Sequence, residues 1–233
     1  YINRIIDFSG NIAGLVMGAN VKKGDTAKLF GTPFSQYVKG EVDVRYYRKI
    51  GLKSTWANRI DIGVGIPYGN SVEIPYIKQF FIGGNNSLRG FRSRSVGPGT
   101  YFPKTTSGKP TSIIPDQTGD LKLEMNTEFR PHLSGPVYGA LFLEGGNIWL
   151  LNDSNYTHKA GAQFTGSFLN QLAVDAGFGV RLDITLFIIR FDVAFPLRKP
   201  WVIPPSVIRD INFLDPSWRR QNLVYNLAIG YPF

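Results

Sequence analysis

Apolar and polar residues alternate with a period of two along much of this chain. Between 120 and 131, every second residue from Leu121 to Phe129 is apolar or threonine, and nearly all the charge lies on the residues between them. The same alternation recurs in 36–47, 56–66 and 187–195. A period of two indicates β-strands with one apolar and one polar face. No stretch shows convincing helical periodicity.

The pattern predicts eight strands and one very long loop. The strands are predicted at about 3–16, 36–49, 54–67, 120–131, 137–150, 171–185, 187–197 and 222–232. Several exceed the five or six residues of an ordinary globular strand and approach the nine to eleven that cross a bilayer at a tilt. In the last strand, the odd-numbered residues from Leu223 to Phe233 are predicted to share one face. The loop, at 68–119, is too long for an ordinary hairpin connection.

Alternation alone fits two environments. A soluble barrel or sandwich would turn the apolar faces inward, whereas a membrane barrel would turn them toward lipid and keep its charges in a wet lumen. Strand length and aromatic residues near strand ends, such as Trp149, Trp201 and Tyr231, favour the membrane. We therefore predict an all-β fold, a transmembrane antiparallel β-barrel, with a soluble β-barrel binding protein as an alternative.

Composition narrows the function classes. The chain has 233 residues, a net charge of +9 and no cysteine. The basic residues are dispersed and no basic helix or base-stacking motif occurs, so nucleic acid is not an expected partner. Two distant histidines and the absence of cysteine argue against a metal site, and no nucleophile, histidine and acid form a recognisable set. We expect no enzyme activity, no catalytic residue, no metal and no cofactor. No apolar run is long enough for a membrane helix.

The long loop opens with the most distinctive residues of the sequence. Phe80 to Phe91 is a Gly/Asn-rich stretch that ends in a single arginine between apolar and glycine neighbours. It resembles the lumenal-loop signature of the outer-membrane protein assembly superfamily, the BamA/TamA-type bacterial surface antigen family. The hydrophobic-Arg-Gly-aromatic tetrad of that family is matched by Leu88, Arg89, Gly90 and Phe91.

Three later motifs follow in the order of the same family. They are Phe142-Leu143-Glu144-Gly145-Gly146, the stretch from Ile189 to Leu197, and an end that resembles a carboxy-terminal β-signal with Asn226, Tyr231 and Phe233. Ala228 stands where glycine is usual, and Pro232 removes a main-chain donor from the closing strand. The surroundings of 37–39 and 66–70 resemble Bacteroidetes-type members.

The resemblance implies a barrel of sixteen strands with the signature loop between the eleventh and twelfth. Three predicted strands precede the loop here and five follow it, so the chain resembles the C-terminal half of such a barrel. A barrel of only eight strands would have an interior filled by its own side chains, without room for this loop. We therefore expect the N-terminal half of the same barrel as a partner.

The resemblance also implies a role for the loop arginine. We expect Arg89 to bridge Glu128 and Glu144, which match positions of acidic partners in the family, with Phe142 packed nearby. A planar guanidinium suits this task because it holds carboxylates through paired hydrogen bonds and keeps its charge. Asp192 is expected to join a lumenal ion-pair network.

By the same resemblance, the protein would insert or translocate other outer-membrane proteins in a Gram-negative outer membrane, with no energy source. Its partners would be outer-membrane lipid, unfolded outer-membrane protein clients and accessory envelope subunits. A weak seam at the last strand could offer unpaired main-chain groups to a client. The alternative on the same barrel is a passive pore or secretion channel, with a conduit lined by Lys39, Arg45, Arg59 and Arg181.

Overall fold

One antiparallel sheet of nine strands dominates the computed structural model, which describes residues 1–18, 20, 26–103, 116–151 and 159–233. Its strands are β1 Ile2–Ser9, β4 Tyr37–Ile50, β5 Ser54–Pro67, β6 Leu121–Arg130, β7 His132–Ser134, β8 Val137–Trp149, β9 Ala173–Asp183, β10 Ile188–Arg198 and β11 Val224–Ile229. A separate small hairpin joins β2 Lys28–Leu29 to β3 Thr32–Pro33. Neighbours in the sheet follow the chain, in the order β1-β4-β5-β6-β8-β9-β10-β11, while β7 pairs with β8.

Helical structure is minor. The helices are α1 Asn11–Met17 and α2 Pro216–Asn222, with 3-10 helices at Tyr76–Lys78, Phe168–Gln171 and Ile208–Asp210. None of the helices in the described ranges is long and apolar enough to cross a membrane.

The two faces of the sheet differ sharply in chemistry. The inner face, defined as the one that packs against segment 80–99, buries charged residues such as Glu124 and Asp192. The outer face exposes apolar residues such as Ile62, which is 53% exposed, and Leu141. Buried charge opposite exposed aliphatic surface is the reverse of a soluble sandwich and is typical of a barrel wall between lipid and a polar lumen.

The chain leaves the sheet for its long connections at one end. Ser9 pairs with Tyr37 and Tyr37 pairs with Pro67, so β1 and β5 end on the same side of the sheet, and the register shows that β8 and β10 end there as well. The opposite end has short turns, such as 51–53 and 184–187. We call these the long-loop end and the short-turn end. Outer-membrane barrels show the same asymmetry, with long loops outside the cell and short turns in the periplasm.

The first strand is shorter than the predicted 3–16. It ends at Ser9, because Gly10 adopts a left-handed conformation with φ 65° and the chain continues as helix α1. The stretch from Asn11 to Val16 is mostly apolar, so it does not reveal by its pattern whether strand or helix forms.

The last strand is also shorter than the predicted 222–232. Strand β11 ends at Ile229, and Gly230 has φ 88°, outside the extended region. The predicted common face from Leu223 to Phe233 is therefore wrong at its end, because the alternation stops at Gly230 and Phe233 is buried. Strand β9 likewise begins at Ala173, after the 3-10 helix Phe168–Gln171, instead of at 171.

The other predicted strands differ from the observed ones by a residue or so at each end. In the predicted loop 68–119, the described residues contain the 3-10 helix Tyr76–Lys78 and a bridge between Phe80 and Gly119, and residues 104–115 lie outside the described part. The sheet is open, with β1 and β11 at its edges. An open sheet of this kind is compatible with half of a larger barrel.

The outer face can be tested by placing a charge on it. Ile62→Arg, in the middle of β5, should destabilise the protein in a bilayer by about 2–4 kcal/mol if that face contacts lipid. Leu52→Arg is the matched control, since Leu52 is fully exposed in the 51–53 turn. Urea unfolding in phosphatidylcholine vesicles measures both. Equal stability of the two variants would contradict a lipid-facing outer surface.

Candidate functional site

Main-chain hydrogen bonds hold segment 80–99 at both ends. Phe80 exchanges two main-chain hydrogen bonds with Gly119, of 2.9 and 3.0 Å. At its far end, the Gly99 amide donates to the carbonyl oxygen of Ile148 on β8 at 2.8 Å. Apolar residues of the segment then pack with residues of the wall in one buried cluster, made of Phe80, Ile82, Leu88, Phe91, Val96, Ile148 and Ala173. Burial of this apolar surface stabilises the docked position of the segment.

A tight turn aims the arginine at the wall. Gly83 and Gly84 have φ values of 105° and 99°, which favour glycine over residues with a side chain. The amide of Gly84 donates to the carbonyl oxygens of Leu88 and Phe91, at 3.2 and 3.1 Å. The turn therefore closes on itself, and Arg89 projects from it toward the strands.

The guanidinium of Arg89 lies among three carboxylates. Its Nη1 is 2.7 Å from Glu128 Oε2 and 3.2 Å from Asp192 Oδ2. Its Nη2 and Nε are 2.8 and 2.9 Å from Oε1 of Glu144. All four side chains have no solvent-exposed surface. Strands β6, β8 and β10 thus each contribute one acid to a single loop cation.

The same arginine makes three further contacts. Its main-chain amide donates to Glu144 Oε2 at 2.7 Å, and its carbonyl accepts from the Asn226 amide at 3.0 Å. The guanidinium carbon lies 3.4 Å from the centre of the Phe142 ring, in the geometry of a cation–π contact. The Phe142 ring has room because it faces Gly177 on β9, where a Cβ would clash with it.

Burial and charge act on Arg89 in opposite directions. Burial alone would lower the pKa of its guanidinium, but the charges of Glu144, Glu128 and Asp192 outweigh that effect and raise the pKa above its usual value. Arg89 therefore stays charged at any physiological pH. A buried charge without partners would be far more costly than this arrangement.

Neighbouring arginines compensate the remaining negative charge. Arg181 lies 3.2 Å from Glu128 and also donates to Asp192. Arg130 lies 2.7 Å from Glu128 through its Nε. The Arg89 network, as we call Arg89 with these acids and arginines, is a continuous set of buried ion pairs across β6, β8, β9 and β10.

A second set of ion pairs lies beside Ser87, the residue that precedes Leu88. Arg59 lies 2.7 Å from Asp61 and 2.9 Å from Glu124, and Lys122 lies 2.6 Å from Asp61. The other carboxylate oxygen of Glu124 accepts a hydrogen bond from the Ser87 hydroxyl at 2.9 Å. The loop is thus attached to the wall on both sides of Leu88.

Gly90 lies where a side chain does not fit. A Cβ at this position would be 2.5 Å from the Cβ of Asp175 on β9 and 3.1 Å from the main-chain carbon of Phe195 on β10. The glycine lets the loop backbone approach the wall closely enough for Arg89 to reach its acids.

The C-terminal residues approach the same network from the short-turn end. The guanidinium of Arg130 lies 4.1 Å from the centre of the Tyr231 ring and 5.5 Å from that of Phe233. It also donates to the main-chain oxygen of Phe233 at 3.3 Å. Asn226 contacts Arg89 as described above. Each of the three residues singled out in the C-terminal motif therefore touches the Arg89 network.

Sequence reasoning named Glu128, Glu144, Phe142 and Asp192, and the structure brings all four to Arg89. It did not connect Arg130 with the C-terminal aromatics, or Asp175 with Gly90. The alternation places Arg130 and Asp175 on inner-face positions, but it does not show which residues they contact. In the described ranges, no group of histidine, aspartate and glutamate side chains could hold a metal ion.

A family model, a relative by sequence and a solved structure all indicate the same protein family for this chain. The model of the Omp85 superfamily domain matches residues 19–214. The outer membrane protein assembly factor BamA of Neisseria meningitidis is 28% identical over 156 residues, which cover 60% of this chain and 19% of that protein. The crystal structure of BamA from Haemophilus ducreyi lacking POTRA domains 1–3 matches with a TM-score of 0.52 and 18% identity.

That structural match covers 71% of this chain and 32% of the Haemophilus chain, and at this identity it shows the fold alone. The chain thus spans about a fifth of the Neisseria protein and a third of the solved structure. The Bacteroidetes-type origin stays a prediction.

The close approach at Gly90 yields a test. Gly90→Ala should force the loop away from β9 and β10 and destabilise its docked position by about 1–3 kcal/mol, as overpacking does elsewhere. Gly40→Ala is the matched control, because nothing lies within 4 Å of a Cβ there. Limited trypsin digestion at Arg92 and Arg94 measures loop release. Equal cleavage of both variants would show that Gly90 is not needed for docking.

Proposed function

Because the chain belongs to the Omp85 superfamily, we propose that it forms the C-terminal part of an outer-membrane barrel that inserts or translocates other outer-membrane proteins. The observation that carries the proposal is the burial of Arg89 among Glu128, Glu144 and Asp192. The Neisseria relative is named as an assembly factor for outer-membrane proteins, which supports a non-enzymatic role for this chain in the same process.

The first part of the mechanism is a fixed loop inside the lumen. A loop of this length loses much conformational entropy when it is ordered, so strong local contacts must hold it. Arg89 supplies them through ion pairs, a ring contact and two main-chain hydrogen bonds. The loop then ties β6, β8 and β10 together from within and keeps that part of the wall rigid.

The second part is a weak edge at β11. This strand forms six residue pairs with β10. The first pair is Val224 with Ala194 and the last is Ile229 with Ile189. In contrast, β9 pairs with nearly the whole of β10. The other edge of β11 carries main-chain groups without a partner in the described sheet. Such an edge can accept an added strand. In the intact barrel, we propose that β11 meets the first strand of the N-terminal half at a seam that opens to a client.

The proposed partners come from this mechanism and from the family of the chain. They are the lipid around the outer face, unfolded outer-membrane protein clients at the seam, the N-terminal half of the barrel, and accessory envelope subunits. No cofactor enters the mechanism, since strand pairing itself provides the driving force for insertion.

The contacts of the four cations predicted to line a conduit do not favour a passive pore. Arg59 and Arg181, two of these cations, are buried in ion pairs with Asp43, Asp61, Glu124, Glu128 and Asp192. Lys39 lies over the Phe80 ring at 4.0 Å, and Arg45 is paired with Asp43. A soluble β-barrel has less support, because the chain matches the Omp85 superfamily domain and its Neisseria relative is an outer membrane protein assembly factor.

The arginine tether can be tested by removing and exchanging charges. Arg89→Ala leaves three buried carboxylates short of one cation, a change that typically costs 3–5 kcal/mol. We expect at least a tenfold loss in the rate of folding of a reporter barrel protein into liposomes that contain the protein. Arg89→Glu should abolish the activity, and Arg89→Glu with Glu144→Arg should restore part of it.

Arg94→Ala is the control for these variants. Arg94 belongs to the same loop but forms an exposed pair with Asp116 at 3.1 Å, a kind of contact that contributes little. It should retain wild-type activity. Wild-type activity of Arg89→Ala would contradict the tether. Single-channel conductance of the wild-type protein without any acceleration of reporter insertion would favour the pore.

A further inference from the structure

The connection between β10 and β11, residues 199–223, crosses from the inner to the outer side of the wall at the long-loop end. Near its start, Trp201 packs against Phe91 and Phe102, with ring centres 5.9 and 5.3 Å apart. Further on, the rings of Phe213 and Trp218 lie 5.1 and 6.5 Å from that of Phe195. Phe195 belongs to the outer face of β10, because it alternates with the buried inner residues Asp192 and Ala194. The second half of this connection therefore covers lipid-facing surface.

Large apolar side chains are exposed along the whole connection. Ile203 is 96% exposed and Leu214 is 88% exposed, and Ile208 and Phe213 are also largely exposed. Side chains of this size are rarely left in water in a group, and such a group usually marks an interaction site.

Basic residues accompany the apolar ones. The connection contains four basic and two acidic residues. Arg209, Arg219 and Arg220 are exposed, and none of them takes part in an ion pair among the described residues. Arg219 donates to the carbonyl oxygens of Phe213 and Leu214, and Arg220 to that of Pro216. The connection as a whole carries a net positive charge of two.

We propose that residues 199–223 form a membrane-interface element that binds the phosphate groups of a phosphorylated glycolipid in the outer leaflet. Long loops of outer-membrane barrels lie outside the cell, so this connection meets the outer leaflet. Exposed apolar residues beside arginines suit the boundary between acyl chains and anionic headgroups. Arginine is well matched to phosphate because its planar fork makes paired, charge-assisted hydrogen bonds.

The position argues against two other occupants. The N-terminal half of the barrel would pair along the edges of β1 and β11, and the connection lies over the outer face of β10 instead. A protein partner would have to displace lipid from the connection and would not require phosphate.

The experiment uses the intact protein in phosphatidylcholine nanodiscs with and without diphosphoryl lipid A, with monophosphoryl lipid A as a third arm. Arg209→Gln with Arg220→Gln removes two charges and leaves the carbonyl contacts of Arg219 in place. Each arginine near an anionic surface contributes about fivefold in affinity. The double variant should therefore bind diphosphoryl lipid A about 25-fold more weakly, with a smaller difference for the monophosphoryl lipid and none in phosphatidylcholine alone.

Arg48→Gln with Lys49→Gln is the matched control, since both residues are exposed at the short-turn end of β4. It should bind diphosphoryl lipid A as the wild type does. Equal affinity of the Arg209/Arg220 variant and the wild type would overturn the proposal, and so would an equal loss in the control. A second measurement tests the location. The emission of Trp218 is obtained by subtracting the fluorescence of Trp218→Phe from that of the wild type, and brominated phosphatidylcholine should quench this emission. Absence of quenching would place Trp218 outside the membrane and also overturn the proposal.

Discussion

A positive charge without solvent contact, the guanidinium of Arg89, sets the conditions that the surrounding structure must meet. Burying such a group is favourable only where carboxylates satisfy its donors in a fixed geometry. These carboxylates come from β6, β8 and β10, so the register of each strand must be correct. A shift of one residue would turn the acid of that strand to the outer face. The loop arginine therefore selects one alignment of the sheet among many with similar backbone pairing.

The alternation of the sequence predicted much of this arrangement, because a period of two states directly which residues share a face. It placed Glu128 and Glu144 on the inner face, while the choice of these two as partners came from the resemblance to a family. The family and the transmembrane antiparallel fold class are confirmed by the Omp85 match and the BamA neighbour. The polar face of a strand shows where charge lies, but the pairing of charges depends on cross-strand register, which the pattern does not contain.

The failures have local physical causes. Strand β1 ends at Gly10 and strand β11 ends near Gly230, and both glycines have positive φ. A glycine on a strand is compatible with extended backbone as well as with a turn, so neither end was visible from the alternation. The contact of Arg130 with Phe233 depends on the second of these turns and was missed for the same reason.

Glu128 has a thermodynamic consequence beyond its role in holding the loop. Its carboxylate forms ion pairs with Arg89, Arg181 and Arg130, and Arg130 in turn contacts the C-terminal aromatic rings. Because one carboxylate serves both groups, removal of Arg89 changes the field in which Arg130 binds Tyr231 and Phe233. Linkage makes this coupling reciprocal. Withdrawal of the C-terminal rings from Arg130 alters the free energy of loop docking by as much as release of the loop alters the free energy of ring binding. A displacement of the chain end would therefore change the stability of the docked loop in the lumen.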